Sequence, residues 1–116
     1  NSANYLQINS MYITENYFVD LGLWQVSVIP LNEIVWCYRL GTISFNPHRH
    51  NPEYSIHFTI LSGAVITAKH KTSDEALELI NAIRATEYNI VIGHSESKKK
   101  RVKKIINKYA RQQNCL

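Results

Sequence analysis

At Thr72 the hydrophobic period of this chain changes from about two to about 3.6 residues, and that change constrains the fold more than any other feature. Before it, Tyr54, Ile56, Phe58 and Ile60 alternate with Ser55, His57 and Thr59, the pattern of a half-buried strand over 54–61. After it, Ala76, Leu79, Ile80 and Ile83 fall at i, i+3, i+4 and i+7, one apolar face of a helix. Thr72 with Glu75 three residues on is the signature of a capping box, so the helix starts there. Strands followed by helices, rather than alternating with them, predict an α+β domain with a mostly antiparallel sheet.

The strands are read from the same period and from the residues that interrupt it. Tyr5 to Ile8 is extended and broken by the turn formers Asn9 and Ser10. Met11–Thr14 and Tyr17–Leu21 flank Glu15-Asn16, a tight turn in which Asn tolerates positive φ. Gly22 breaks the pattern, and Val26–Ile29 is a strand stopped by Pro30, which has no N–H for a ladder. Ile34–Leu40 carries Ile34, Trp36 and Tyr38 on one face and Val35, Cys37 and Arg39 on the other; with both faces largely apolar, it is a central strand. The segment 41–52, with two prolines and His48-Arg49-His50, is a loop, and Ser62-Gly63 is a hairpin connection into 64–70. Aromatic residues concentrated before residue 60 agree with a sheet.

Tyr88–Ile92 is a short apolar strand ended by Gly93. Beyond it Val102, Ile105, Ile106 and Tyr109 repeat the helical stripe, with Ser95 as the N-cap. Lysines and arginines fill the other faces of this second helix. Residues 1–93 carry five Lys/Arg against eight Asp/Glu, whereas 94–116 carry eight Lys/Arg against Glu96 alone. A basic C-terminal segment thus joins an acidic body. The 116 residues form one domain, with 94–116 its basic C-terminal helix, and no metal or disulfide is needed to staple it. Cys37 reads as a small buried hydrophobe and Cys115 stands at the chain end, so no oxidising compartment is implied. No apolar run approaches the roughly 20 residues that cross a bilayer.

The order Tyr12-Ile13-Thr14, Tyr17-Phe18-Val19, then Val28 to Tyr38 with its I-P-L-x-x-I-x-W-x-Y pattern, and finally Asn89-Ile90-Val91-Ile92-Gly93-His94-Ser95, resembles a bacterial PH-like domain of a family without established function. These residues span nearly the whole chain and are mostly packing positions. The resemblance implies a curled antiparallel sheet or partial barrel with helical closure, and no catalysis. It carries no functional residue over. One departure stands out: such domains end on a single capping helix, whereas this chain adds a short strand and a second helix.

The basic helix is the main candidate site. Ser95, Ser97, Lys98, Lys99, Lys100, Arg101, Lys103 and Lys104 suit an anionic partner, either a membrane surface or nucleic acid. Lysines in a first turn oppose the helix dipole by about 0.3–1 kcal/mol each, a cost that an anion near Ser95 and Ser97 relieves. The plainer reading is a solvated helix docked by its apolar seam. It is not a phosphate-binding loop, since Gly93 is the only glycine before the lysines. His48 and His50, with Glu53 or His57 as third ligand, are the weaker candidate; an H-x-H without a firm third partner predicts no metal site. His57 and His94 read as surface histidines, and Trp24, Trp36 and Tyr38 as core and sheet-edge aromatics rather than a stacking platform.

No nucleophile elbow, H-E-x-x-H, C-x-x-C or glycine-rich dinucleotide loop is present. A Cys37/His57 dyad fails because large apolar neighbours raise a thiol pKa. The expectation is a non-enzymatic binding module without metal or small-molecule cofactor, whose partner is an anionic membrane surface or another protein. Such a module is cytoplasmic, attached to a membrane through a segment outside these residues. Two alternatives follow. One is nucleic-acid binding through the basic helix, disfavoured because that helix interleaves only Tyr109 among its charges. The other is a small metal-dependent enzyme using His48, His50 and His57.

Overall fold

In the computed structural model, residues 5–22, 25–42 and 53–114 are described. Trp24, His48, Arg49, His50 and Cys115 lie outside them, so the predicted histidine loop does too.

The first half builds a meander: β1 (Leu6–Ile8), β2 (Met11–Ile13), β3 (Tyr17–Leu21) and β4 (Val26–Pro30), each antiparallel to the next. Asn9 and Ser10 alone separate Ile8 from its partner Met11. Asn9 takes φ of 52°, the left-handed conformation that its short amide side chain tolerates. The turn over 14–17 takes no positive φ. There the Thr14 hydroxyl accepts the Tyr17 amide at 3.0 Å, and the Thr14 amide donates to the Tyr17 carbonyl at 2.9 Å. Positive φ therefore belongs to Asn9 and not, as the sequence suggests, to Asn16.

A 3-10 turn, Leu31–Glu33, leads into the second sheet, made of β5 (Ile34–Thr42), β6 (Glu53–Ile60), β7 (Val65–Lys71) and β8 (Val91–Ile92). Its order is β7-β6-β5-β8, antiparallel except for the β5–β8 pair. β5 is central, as its two apolar faces predict. Hydrogen bonding thus divides the strands between two open four-stranded sheets, neither closed on itself. The β6–β7 hairpin turns through Gly63 at φ of 92°.

Helix α1 (Ser73–Arg84) begins in a complete capping box. The Thr72 side chain accepts the Glu75 amide at 3.1 Å, and the Glu75 carboxylate accepts the Thr72 amide at 2.8 Å. It buries Ala76, Leu79, Ile80 and Ile83, the four positions its period picks out. They join Met11, Phe18 and Ile29 of the first sheet and Cys37, Ile56 and Phe58 of the second in one core. Phe18 and Phe58 meet across the sheets with ring centroids 4.6 Å apart, an aromatic pair worth about 0.5–1.5 kcal/mol beyond its burial.

The opposite face of the second sheet carries helix α2 (Glu96–Asn114). Val102 is buried there with Val35, Trp36 and Val91, while Ile105, Ile106, Leu61 and Tyr38 pack half-buried around them. The α+β class is therefore plain, with two mostly antiparallel sheets and two helices.

Two β-bulges decide which side chains point where. On β5, Ile34 pairs with Ile60 and Trp36 with Thr59, so Val35 is an extra residue. Past that point the strand's parity is inverted: Ile34 and Cys37 face the main core, and Val35, Trp36 and Tyr38 face α2. The simple alternation of Ile34, Trp36 and Tyr38 fails here because a bulge breaks the period-two count. On β7, Ile56 pairs with Ala68 and Tyr54 with Lys71, so three steps on one strand match two on the other. His70, at φ of 62°, absorbs the extra residue. Lys71 consequently turns inward, where its ammonium lies 3.0 Å from Asp20 Oδ1 of the other sheet. Both side chains are buried.

Candidate functional site

Gly93 organises the start of α2. Its amide donates to the Cys37 carbonyl at 3.0 Å and its own carbonyl accepts Trp36 Nε1 at 2.7 Å. At φ of 92°, and with Lys98 Nζ only 3.0 Å from where a Cβ would stand, the position requires glycine. Lys98 folds back so that its ammonium donates to the Ile92 carbonyl at 2.6 Å. Ser95 caps the helix as expected, its hydroxyl accepting the Lys98 amide at 3.2 Å while its carbonyl accepts the Lys99 amide at 2.9 Å. Its hydroxyl also lies 3.2 Å from that of Ser97.

The predicted set thus separates into two groups. Ser95 and Lys98 are engaged with the chain's own backbone. Lys99, Lys100, Arg101, Lys103 and Lys104 are exposed, as are Lys108 and Arg111 further along. Lys100, Lys104, Lys108 and Arg111 recur at i, i+4, i+8 and i+11 and so form one row opposite Val102. That row runs about 16 Å along the helix axis. Among the described residues, the ion pairs are Lys71–Asp20 and His70–Glu53, and no carboxylate neutralises the α2 row.

Next to this helix start lies a ring cluster that sequence reading does not find. The imidazole of His94 stacks on Trp36 at 5.3 Å and meets Tyr38 edge-on at 5.1 Å. Trp36 and Tyr38 are 4.5 Å apart, and Tyr38 stacks in turn on His57, its cross-strand partner, at 5.1 Å and 4°. His57 is held by two hydroxyls, Ser55 at 3.0 Å from Nε2 and Thr67 at 3.4 Å from Nδ1. Ser55 donates to the Leu40 carbonyl at 3.5 Å, which leaves its oxygen to accept from Nε2 and leaves Nδ1 to accept from Thr67. Burial lowers the His57 pKa below 6.5, so the ring favours its neutral form. The β5 bulge turns Trp36 and Tyr38 to the α2 face, away from that of Ile34; Trp36 belongs to the core as predicted, and Tyr38 is half-buried at its margin.

Cys37 is fully buried on the other face of β5, and burial pushes its thiol up to about 12. It does not meet His57, which lies against Tyr38 on the α2 side of the sheet. No helix among the described residues is long and apolar enough to cross a membrane. No protein-family model matches the chain, and no curated protein matches it.

Proposed function

We propose that this chain is a non-enzymatic binding module, PH-like in kind, that attaches to an anionic membrane surface through the solvent face of α2. The observation that carries this reading is the row Lys100, Lys104, Lys108 and Arg111, exposed, flanked by Arg101 and Lys103, and without a carboxylate partner among the described residues. A straight cationic row on a docked helix presents its charges to a plane. Each Lys or Arg near an anionic leaflet contributes on the order of 1 kcal/mol.

Replacing Lys100, Lys104 and Lys108 by Gln removes roughly 3 kcal/mol of attraction, so binding to phosphatidylserine vesicles falls by about two orders of magnitude. The fold is unchanged because all three side chains are exposed. Binding also weakens with salt, as the Debye length contracts from about 10 Å at 0.1 M to about 3 Å at 1 M. Co-sedimentation with such vesicles is the test; no binding at low salt, or equal binding by the triple variant, refutes the reading.

A second reading, single-stranded nucleic acid, is favoured by the rings of His94 and Tyr38 beside the basic helix, since bases stack on such surfaces. Gel shift with a single-stranded RNA, weakened by Tyr38→Ala, separates it from the first.

A further inference from the structure

Away from α2, strands β3 and β4 of one sheet and β6 and β7 of the other line an open cleft of about 760 Å³, within the size range of small-molecule sites. The Asp20–Lys71 pair lies in its wall, with Ser10, Ser27 and Thr67. Asp20 Oδ1 accepts two hydrogen bonds, from Ser10 Oγ at 3.2 Å and from Lys71 Nζ at 3.0 Å. Oδ2 accepts none from the described residues, although Asp20 is only 6% exposed. Its cross-strand partner Ser27 is 9% exposed, and its hydroxyl likewise has no protein partner among the described residues. Neither atom is sealed from solvent, and the cleft is the space that both residues line. Two adjacent, nearly buried polar groups left unpaired by the protein and open to the cleft offer a ligand a pair of hydrogen-bonding positions to take over from water.

The charges around them select that partner's class. A cation drawn to Asp20 Oδ2 meets the Lys71 ammonium bound to the same carboxylate, and an anion drawn to Lys71 meets Asp20. A neutral hydroxyl suffers neither repulsion and both donates and accepts. Lys71 has three N–H donors, of which two point to Asp20 at 3.0 Å and Ser10 at 3.5 Å. We propose that the cleft binds a neutral polyhydroxylated ligand of saccharide type. One hydroxyl donates to Asp20 Oδ2, and its neighbour accepts from Lys71 or exchanges a hydrogen bond with Ser27.

Amide-detected NMR titration of the whole chain tests this, with glucose, N-acetylglucosamine and maltose as neutral probes and ammonium and phosphate as charged ones. The expected result is saturable shifts at Ser10, Asp20, Ser27 and Thr67 with at least one sugar. Ser27→Ala, which leaves the Asp20–Lys71 pair intact, weakens that binding about five-fold, as the loss of one hydrogen bond does. The unperturbed amides of α1 report that the variant is folded. No saturable shift with any of the three sugars overturns the proposal. So does equal affinity in Ser27→Ala, or tighter binding of ammonium or phosphate at the same residues.

Discussion

Helices α1 and α2 follow the same apolar period yet stand in opposite relations to the sheet they share. α1 sinks four side chains completely and is tied down at its start by a reciprocal cap. α2 is longer, buries Val102 alone, and turns seven exposed cations to solvent. The first helix completes a core between two sheets. The second covers one face of a sheet already held from behind. Equal periodicity therefore does not mean equal structural weight; the number of apolar residues per turn, and what lies opposite them, sets it.

The sharpest break of this comparison is a pair of truncations. Leu79→Ala in α1 should cost about 2–5 kcal/mol, whereas Val102→Ala in α2, with fewer methyls lost at a thinner interface, should cost about 1–2 kcal/mol. Urea denaturation measures both, and equal losses would mean that α2 is as integral to the core as α1.

The caps give a smaller contrast. Thr72→Ala removes the side-chain half of a capping box, the acceptor of the Glu75 amide, and should lower stability by about 1–2 kcal/mol, against at most about 1 kcal/mol for Ser95→Ala, whose helix start keeps the Lys98 and Trp36 ties to the end of β8. Thermal melts of the two variants decide the order.

The smallest effect comes from the sheet's α2 side. His57 has a folded pKa below 6.5, so between that value and 6.5 the unfolded chain binds more protons than the folded one. The stability it contributes is fully present above pH 6.5 and is lost as the pH falls through the folded value. Imidazole NMR titration should place His57 below 6.5, and His57→Gln should flatten the acid limb of the stability profile.

The residues that were legible in the sequence are those whose neighbours in the chain determine them. α1 could be read to the residue, from cap to buried face, because both depend on spacing within a few turns. Ser95 and the apolar seam of α2 were legible for the same reason. What escaped was parity. A bulge leaves no mark in composition, since Val35 and His70 are ordinary residues and only the partner strand reveals that one step is extra. With parity went the assignment of Trp36 and Tyr38 to the α2 face rather than to that of Ile34, hence the ring cluster with His57 and His94. Lys71 escaped likewise: its number along the strand predicts solvent, and the bulge turns it onto Asp20. The loss of Lys98 from the exposed set depended on a carbonyl of β8 that spacing does not bring into view.

The bulges also set where this chain tolerates a change of length. Loops usually absorb a lost residue, and strands absorb it at their ends. Here deletion of His70 would only return the end of β7 to simple alternation, two steps against two, and leave Lys71 facing Asp20. Deletion of Val35 would do the same along β5, keeping Cys37 in the core and Trp36 and Tyr38 beneath α2. Relatives of this protein are therefore expected to lose the extra residue at either position while the faces of Ile34 and Cys37, and of Ala68 and Lys71, stay unchanged.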